Sequence, residues 1–138
     1  MLNSNGDDNA LFQAGPAHGA PPQNVRLAAN DYLLDHLGGG FDLLYFTDAD
    51  SIPGTLIETI SAARDRGIPL KVIAAGSSRD VNGADKTLPD VDGHLRARYG
   101  VPSNGGAYLF RPDQHICARW LTLDATRLQT ALKAALPQ

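Results

Sequence analysis

The sequence predicts an α/β domain with a central mixed sheet, in the order β-α-β-α-β-α-β-β-α over residues 25–138. Three observations lead there. Two near-continuous apolar runs, FDLLYF (41–46) and PLKVIAA (69–75), suit strands buried on both faces and flank a helix-like pattern. Two further strand patterns, GAYLF (106–110) and HICARW (115–120), are joined by RPDQ, whose Pro-Asp pair suits a β-turn. A last segment carries apolar residues at helical spacing.

Residues 1–24 are rich in Asn, Asp, Gly, Ala and Pro without apolar periodicity, so they cannot form a core of their own. They read as a linker or an extended arm, with Leu11, Phe12, Pro21 and Pro22 suggesting a segment that lies on something. NVRLA (24–28) is a short strand candidate. In NDYLLDHLGGG (30–40), Leu33, Leu34 and Leu37 share a helical face, Asn30 or Asp31 can cap it, and the glycines end it. After the strand 41–46, Asp50 or Ser51 can cap a helix with Pro53 in its first turn. Leu56, Ile57, Ile60 and Ala63 supply its apolar positions, and Gly67 stops it. Residues 76–90, GSSRDVNGADKTLPD, read as a loop, long enough to be a docking element. Asp92 can cap a short helix in which Leu95 and Tyr99 lie four apart on one face. Asp124 caps the final helix, with Leu128, Ala131, Leu132, Ala135 and Leu136 on one side. Helices between apolar strands require parallel crossovers, and the late hairpin supplies antiparallel pairing.

A chain of 138 residues suits a single domain with a sufficient core. Its net charge of −3, without any run of Lys or Arg, argues against a nucleic-acid reader, which needs a basic stripe. There is no apolar run of the roughly 18–20 residues a membrane helix needs. The lone cysteine, Cys117, excludes an intrachain disulfide and suits a reducing, cytoplasmic setting.

The stretch YFTDADSIPG (45–54) carries the sharpest chemical question. Together with the element order from Val25 to Leu136, it resembles the strand and helix start that bear Cys-x-Pro-Cys in thioredoxin-like domains. Here the four positions are Ser51, Ile52, Pro53 and Gly54. YGVPSNGGAYLF resembles the segment bearing that fold's cis-proline, with Gly105 in the proline's place and Pro102 three residues early. A more specific resemblance rests on APPQNVRL, YLLDHLGGGFDLLYF and GGAYLFRPDQHICARW. These are similar to the C-terminal thioredoxin-like domain of FAD-dependent aromatic-ring hydroxylases, the phenol hydroxylase and 3-(3-hydroxyphenyl)propionate hydroxylase type. The resemblance implies a redox-inactive domain with a structural, interdomain-docking or oligomerisation role, its partners being the flavin and substrate domains of the parent. FAD and NAD(P)H are implied for that parent, an O₂-dependent ring hydroxylase and oxidoreductase. No FAD-, NAD(P)H- or substrate-binding residue carries over, because no strand is followed by GxGxxG. The GGG at 38–40 precedes a strand instead.

The residues themselves assign no catalytic, cofactor-binding or metal site. Thioredoxin chemistry needs a thiolate and a resolving thiol. The Ser51 hydroxyl, with no base beside it, is un-ionised at neutral pH, and helix capping worth about 1 kcal/mol accounts for it. Cys117 and His115 lie two apart in a strand, too few ligands for zinc, and a lone strand cysteine serves as a small buried hydrophobe. His36 beside Asp35 and His94 beside Asp92 fall on polar sides of short helices. The carboxylates of TDAD (47–50) sit where a helix dipole favours acids. Two other readings stay open: a stand-alone thioredoxin-fold module that binds a protein through the surface around Ser51 and Gly105, and a redox enzyme using Cys117.

Overall fold

The computed structural model describes residues 15, 20, 26–28, 31–47, 49–76, 80–88, 90, 93–101 and 106–135. Among the described residues, seven strands run in chain order: β1 Arg26–Ala28, β2 Asp31–Tyr32, β3 Phe41–Phe46, β4 Leu70–Ala75, β5 Lys86–Leu88, β6 Gly106–Phe110 and β7 Ile116–Trp120. The helices among the described residues are α1 Gly54–Asp65, α2 His94–Arg98 and α3 Ala125–Ala135, with a 3-10 turn at Leu33–His36. The main sheet has the order β5-β4-β3-β6-β7. β3 pairs parallel with β4 and antiparallel with β6, and β4 pairs parallel with β5. The mixed sheet and its fold class are those the sequence predicts, with the two apolar runs side by side at its centre.

Each face of the sheet carries its own core. On one side, Leu43, Val72, Ala74, Leu109 and Trp120 pack beneath Leu56, Ile60 and Ala63 of α1 and Leu128, Ala131 and Leu132 of α3. Burying a side chain such as Leu56 or Ile60 stabilises by about 1.5–3 kcal/mol. That is why the i, i+4, i+7 spacing of α1 decides which face turns inward. Ile57, off that stripe, stays 38% exposed. On the other side, Leu44, Phe46, Ile73, Tyr108 and Phe110 meet Leu33 and Leu37 of the 3-10 turn and Leu95 and Tyr99 of α2. The alternation of β3 between the two cores is the two-sided burial its apolar run implies.

The predicted turn at RPDQ is present: the Gln114 amide donates to the Arg111 carbonyl at 2.8 Å, with Gln114 at φ 71°. Gly67, at φ 88°, ends α1, and the next amide, that of Ile68, reaches back to the Ala63 carbonyl at 3.1 Å. Asp124 caps α3, accepting from the Arg127 amide at 2.8 Å.

Four local expectations differ. Residues 31–40 do not form the expected α-helix. Asp31–Tyr32 pair with Arg26–Ala28 in a separate two-stranded sheet, leaving four residues for one 3-10 turn before the glycines. A four-residue stretch cannot repay helix nucleation, so the leucines are buried from a tighter turn. Strand β1, Arg26–Ala28, accordingly stays out of the main sheet, whose corresponding edge is filled by β5. β5 itself lies inside the segment read as a loop. Helix α1 starts at Gly54, after Pro53 at the N-cap and with no side-chain cap, so neither Ser51 nor Asp50 caps it. The cap expected from Asp92 lies outside the described residues. Asp90 does that work, accepting from the Leu95 and Arg96 amides at 2.9 Å each.

Candidate functional site

The parallel strands β3 and β4 end at Phe46 and Ala75, and the chain leaving β3 forms the position a redox motif would occupy. The Ala49 amide bonds the Thr47 hydroxyl at 3.0 Å, turning the chain out of the strand. Ser51, exposed, forms an isolated parallel bridge with Asn82. The Ile52 amide donates to the Asn82 carbonyl, and the Asn82 amide to the Asp50 carbonyl, both at 2.8 Å. Ile52 is buried in the helix-side core, whereas Pro53 and Gly54 face solvent. Ser51 is therefore held by its backbone in a short added ladder, and its hydroxyl has no cap to make.

Asn82 is fixed in turn. The Val81 amide donates to Thr87 Oγ1 at 2.9 Å. Asp85 accepts from the Val72 amide at 2.7 Å and from Arg64 at 2.6 Å. Gly83, at φ 95°, brings its backbone onto Ile57, where an added Cβ would stand 2.8 Å from Cδ1. The described part of the 76–90 connection is thus tied to β4 and α1 by specific bonds. Arg79 of this connection lies outside the described residues, and Lys86 Nζ sits 3.2 Å from His36 Nδ1.

Cys117 is buried in the helix-side core and, as the chain's one cysteine, forms no intrachain disulfide. It is also the extra residue of a β-bulge, since Leu109 faces Ala118 while Phe110 faces Ile116. Phe110 in turn faces Asp42, so Cys117 lies level with the start of β3, whereas Ser51 follows its end. A six-residue strand spans roughly 17–20 Å. The structure therefore does not bring Cys117 and Ser51 together. His115 precedes β7 in the turn, where its ring lies 3.5 Å from Asp113. The His115 amide, with Arg111 beside it, holds the Asp113 carboxyl below its ordinary range. Among the described residues no group of three or more His, Cys, Asp or Glu is placed to hold a metal. Gly105, Pro102 and Asp92 lie outside the described residues, as does the side chain of His94.

Two buried charges escaped the sequence reading. Asp42 is fully buried in β3, where its carboxylate accepts from the Gly38 amide at 2.7 Å and lies 3.4 Å from Lys71 Nζ. Burial pushes its carboxyl above the ordinary value, against the opposing pull of the Gly38 hydrogen bond and of Lys71. Arg119 is buried in β7, its guanidinium 3.3 Å from the Tyr108 hydroxyl, which donates to the Tyr99 carbonyl at 2.5 Å. The available signal was a charged residue inside a run read as a buried strand, which is costly unless paired. Asp42 lies beside a shallow cavity of about 270 Å³ lined by Gly38–Gly40, Pro69 and Lys71. That cavity sits at the N-terminal ends of β3 and β4, whereas ligands of open α/β sheets bind beyond the carboxyl ends. Beyond those carboxyl ends, the described residues do not suit the pyrophosphate of FAD. The turn after β3 presents the carboxylate of Asp50 and lacks a glycine-rich loop leading into α1.

No protein-family model matches the chain, and a search of curated proteins returned no match. Solved structures do match. The substrate-free rebeccamycin biosynthetic enzyme RebC is 21% identical, with a TM-score of 0.60, over 95% of this chain and 21% of its own. The flavin-dependent monooxygenase PieE, solved with FAD and substrate, is 23% identical, with a TM-score of 0.56, over 88% of this chain and 21% of its own. Peroxiredoxin Q from Xanthomonas campestris is 19% identical, with a TM-score of 0.53, over 71% of this chain and 80% of its own. At these identities the likeness defines the fold: thioredoxin-like, in the form found within much longer flavin enzymes. The chain spans about a fifth of the length of RebC and PieE.

Proposed function

We propose that this chain is a redox-silent thioredoxin-like domain of a flavin-dependent aromatic-ring hydroxylase, acting by packing on the parent's flavin and substrate domains. The observation that carries the reading is the pairing of matches. Nearly the whole chain superposes on a fifth of RebC and of PieE, the latter a flavin-dependent monooxygenase. The position that carries a thiol pair in redox members of the fold holds Ser51 and Gly54. The parent reaction is NAD(P)H- and O₂-dependent ring hydroxylation in the cytoplasm, with FAD, NAD(P)H and substrate held by other domains. This chain supplies surface and stability, with a part in subunit association as a further form of the same role.

The test is docking in trans. A flavin-binding core of the parent hydroxylase, expressed without this domain, is melted alone and with increasing concentrations of the domain. A partner that binds only the native state stabilises by about 2.7 kcal/mol at a hundred times Kd, so the core's Tm should climb with domain concentration. A core melting at one temperature throughout, at concentrations well above micromolar, would refute the docking role and favour a stand-alone binding module.

A further inference from the structure

Two described residues of the N-terminal segment touch the sheet at separate points. The Ala20 carbonyl accepts from the Ile116 amide at 2.9 Å. Ile116 opens β7, which among the described residues is an edge strand of the main sheet. Five residues earlier, Gly15 lies against the end of α2 and the middle of β6. A Cβ added there would stand 2.5 Å from the Tyr99 carbonyl carbon and 2.7 Å from the Tyr108 hydroxyl. Gly15 also has φ 85°, which L side chains rarely adopt. The slot thus admits glycine on two independent grounds, backbone conformation and contact with groups that cannot move aside. The Tyr99 carbonyl and Tyr108 hydroxyl are locked to each other, with Arg119 behind them.

We infer that Gly15 and Ala20 are the two anchor points of a cis strap, which fastens the segment preceding the domain across the α2–β6–β7 side. An edge strand with open amides is a pairing hazard that folded proteins cover, and the Ala20 carbonyl caps one such amide at the bulged start of β7. A sidewise bond to the edge fixes the strap's direction, and the glycine slot fixes its register. The N-terminal segment then enters the domain at a defined place, so whatever precedes it is held on this side rather than on a free tether. The inference does not depend on the proposed hydroxylase role, since it concerns contacts inside this chain.

The test is amide hydrogen exchange on the full chain, comparing wild type with Gly15→Val and with Gly67→Ala. Gly67 is a matched control: its φ is 88°, and a Cβ there meets nothing within 4 Å. In wild type the Ile116 amide should be protected. In Gly15→Val it should exchange at least about tenfold faster while the Leu43 and Val72 amides keep their wild-type rates, a selective loss expected of local opening. Gly67→Ala should leave the ratio of Ile116 to core rates unchanged. An unprotected Ile116 amide in wild type, or one equally protected in Gly15→Val, overturns the strap. If Gly15→Val lowers protection of Ile116 and of the core alike, the slot is part of global stability and the strap is likewise overturned. A chain lacking residues 1–14 keeps both anchors and should retain Ile116 protection; its loss there would place the anchoring upstream and refute the assignment.

Discussion

Replacing Asp90 and Ser51 separately by alanine separates a working helix cap from a residue with only a cap's sequence signature. Asp90 accepts two first-turn amides of α2 through its two carboxylate oxygens, Leu95 through Oδ1 and Arg96 through Oδ2, at 2.9 Å each. Helix α2 has Gly93 at its N-cap, which offers no side chain, so these bonds are the capping that the described residues supply. Losing such a side chain costs about 0.5–2 kcal/mol. Both oxygens are engaged, and the helix they start carries Leu95 and Tyr99, each fully buried against the second core. The upper part of that range, about 1.5–2 kcal/mol, is therefore expected. For a domain of this size, that is a fall in Tm on the order of 5–10 °C. Ser51 makes no cap bond and faces solvent, so Ser51→Ala should stay within about 0.5 kcal/mol of wild type. Urea titrations followed by far-UV circular dichroism, with thermal melts alongside, measure both. Equal losses in the two variants, or a loss of about 1 kcal/mol or more from Ser51→Ala, would refute the assignment of capping to Asp90.

Asp42→Asn keeps an acceptor for the Gly38 amide while removing a buried charge. Because burial raises the folded-state pKa of Asp42 above its unfolded value, its ionisation weakens the fold as pH rises upward from the ordinary carboxylate range. The variant should be more stable than wild type near neutral pH, with the gain shrinking as pH falls to about 3.8 and below. Melting curves across that window showing a gain that grows toward acid would contradict the sign. Cys117→Ser should be indistinguishable from wild type in dithiothreitol-driven insulin reduction. Turnover above background in wild type, lost in the variant, would support a redox enzyme against the docking domain.

The central sheet, α1, α3 and the β6–β7 hairpin were legible because long apolar runs and sustained helical spacing leave few alternatives. β5 was not, since Lys86-Thr87-Leu88 is three residues among turn formers and becomes a strand only when β4 offers it an edge. The leucines at 33, 34 and 37 announced burial correctly for Leu33 and Leu37, but not the helix, because pairing of Asp31–Tyr32 takes the residues a first turn needs. At the candidate site, the absence of a thiol pair was plain in the letters. The role of Ser51 was not, since capping depends on where Asn82, thirty-one residues later, meets the chain. Asp42 and Arg119 were visible as charges in buried strands, but their partners lie on other strands or turns.

The bulge in β7 bears on how chains of this kind can change in length. A residue gained or lost within a regular strand moves every later side chain to the opposite face. Here Cys117 and Ala118, neighbours in sequence, both enter the helix-side core, after which Arg119 and Trp120 alternate normally. Removing Cys117 alone would leave Ile116, Ala118, Arg119 and Trp120 on the faces they already occupy. The hairpin thus holds one place where the reading frame of inside and outside is insulated from the residue count, so a one-residue deletion there is an ordinary packing change instead of an inversion of both cores.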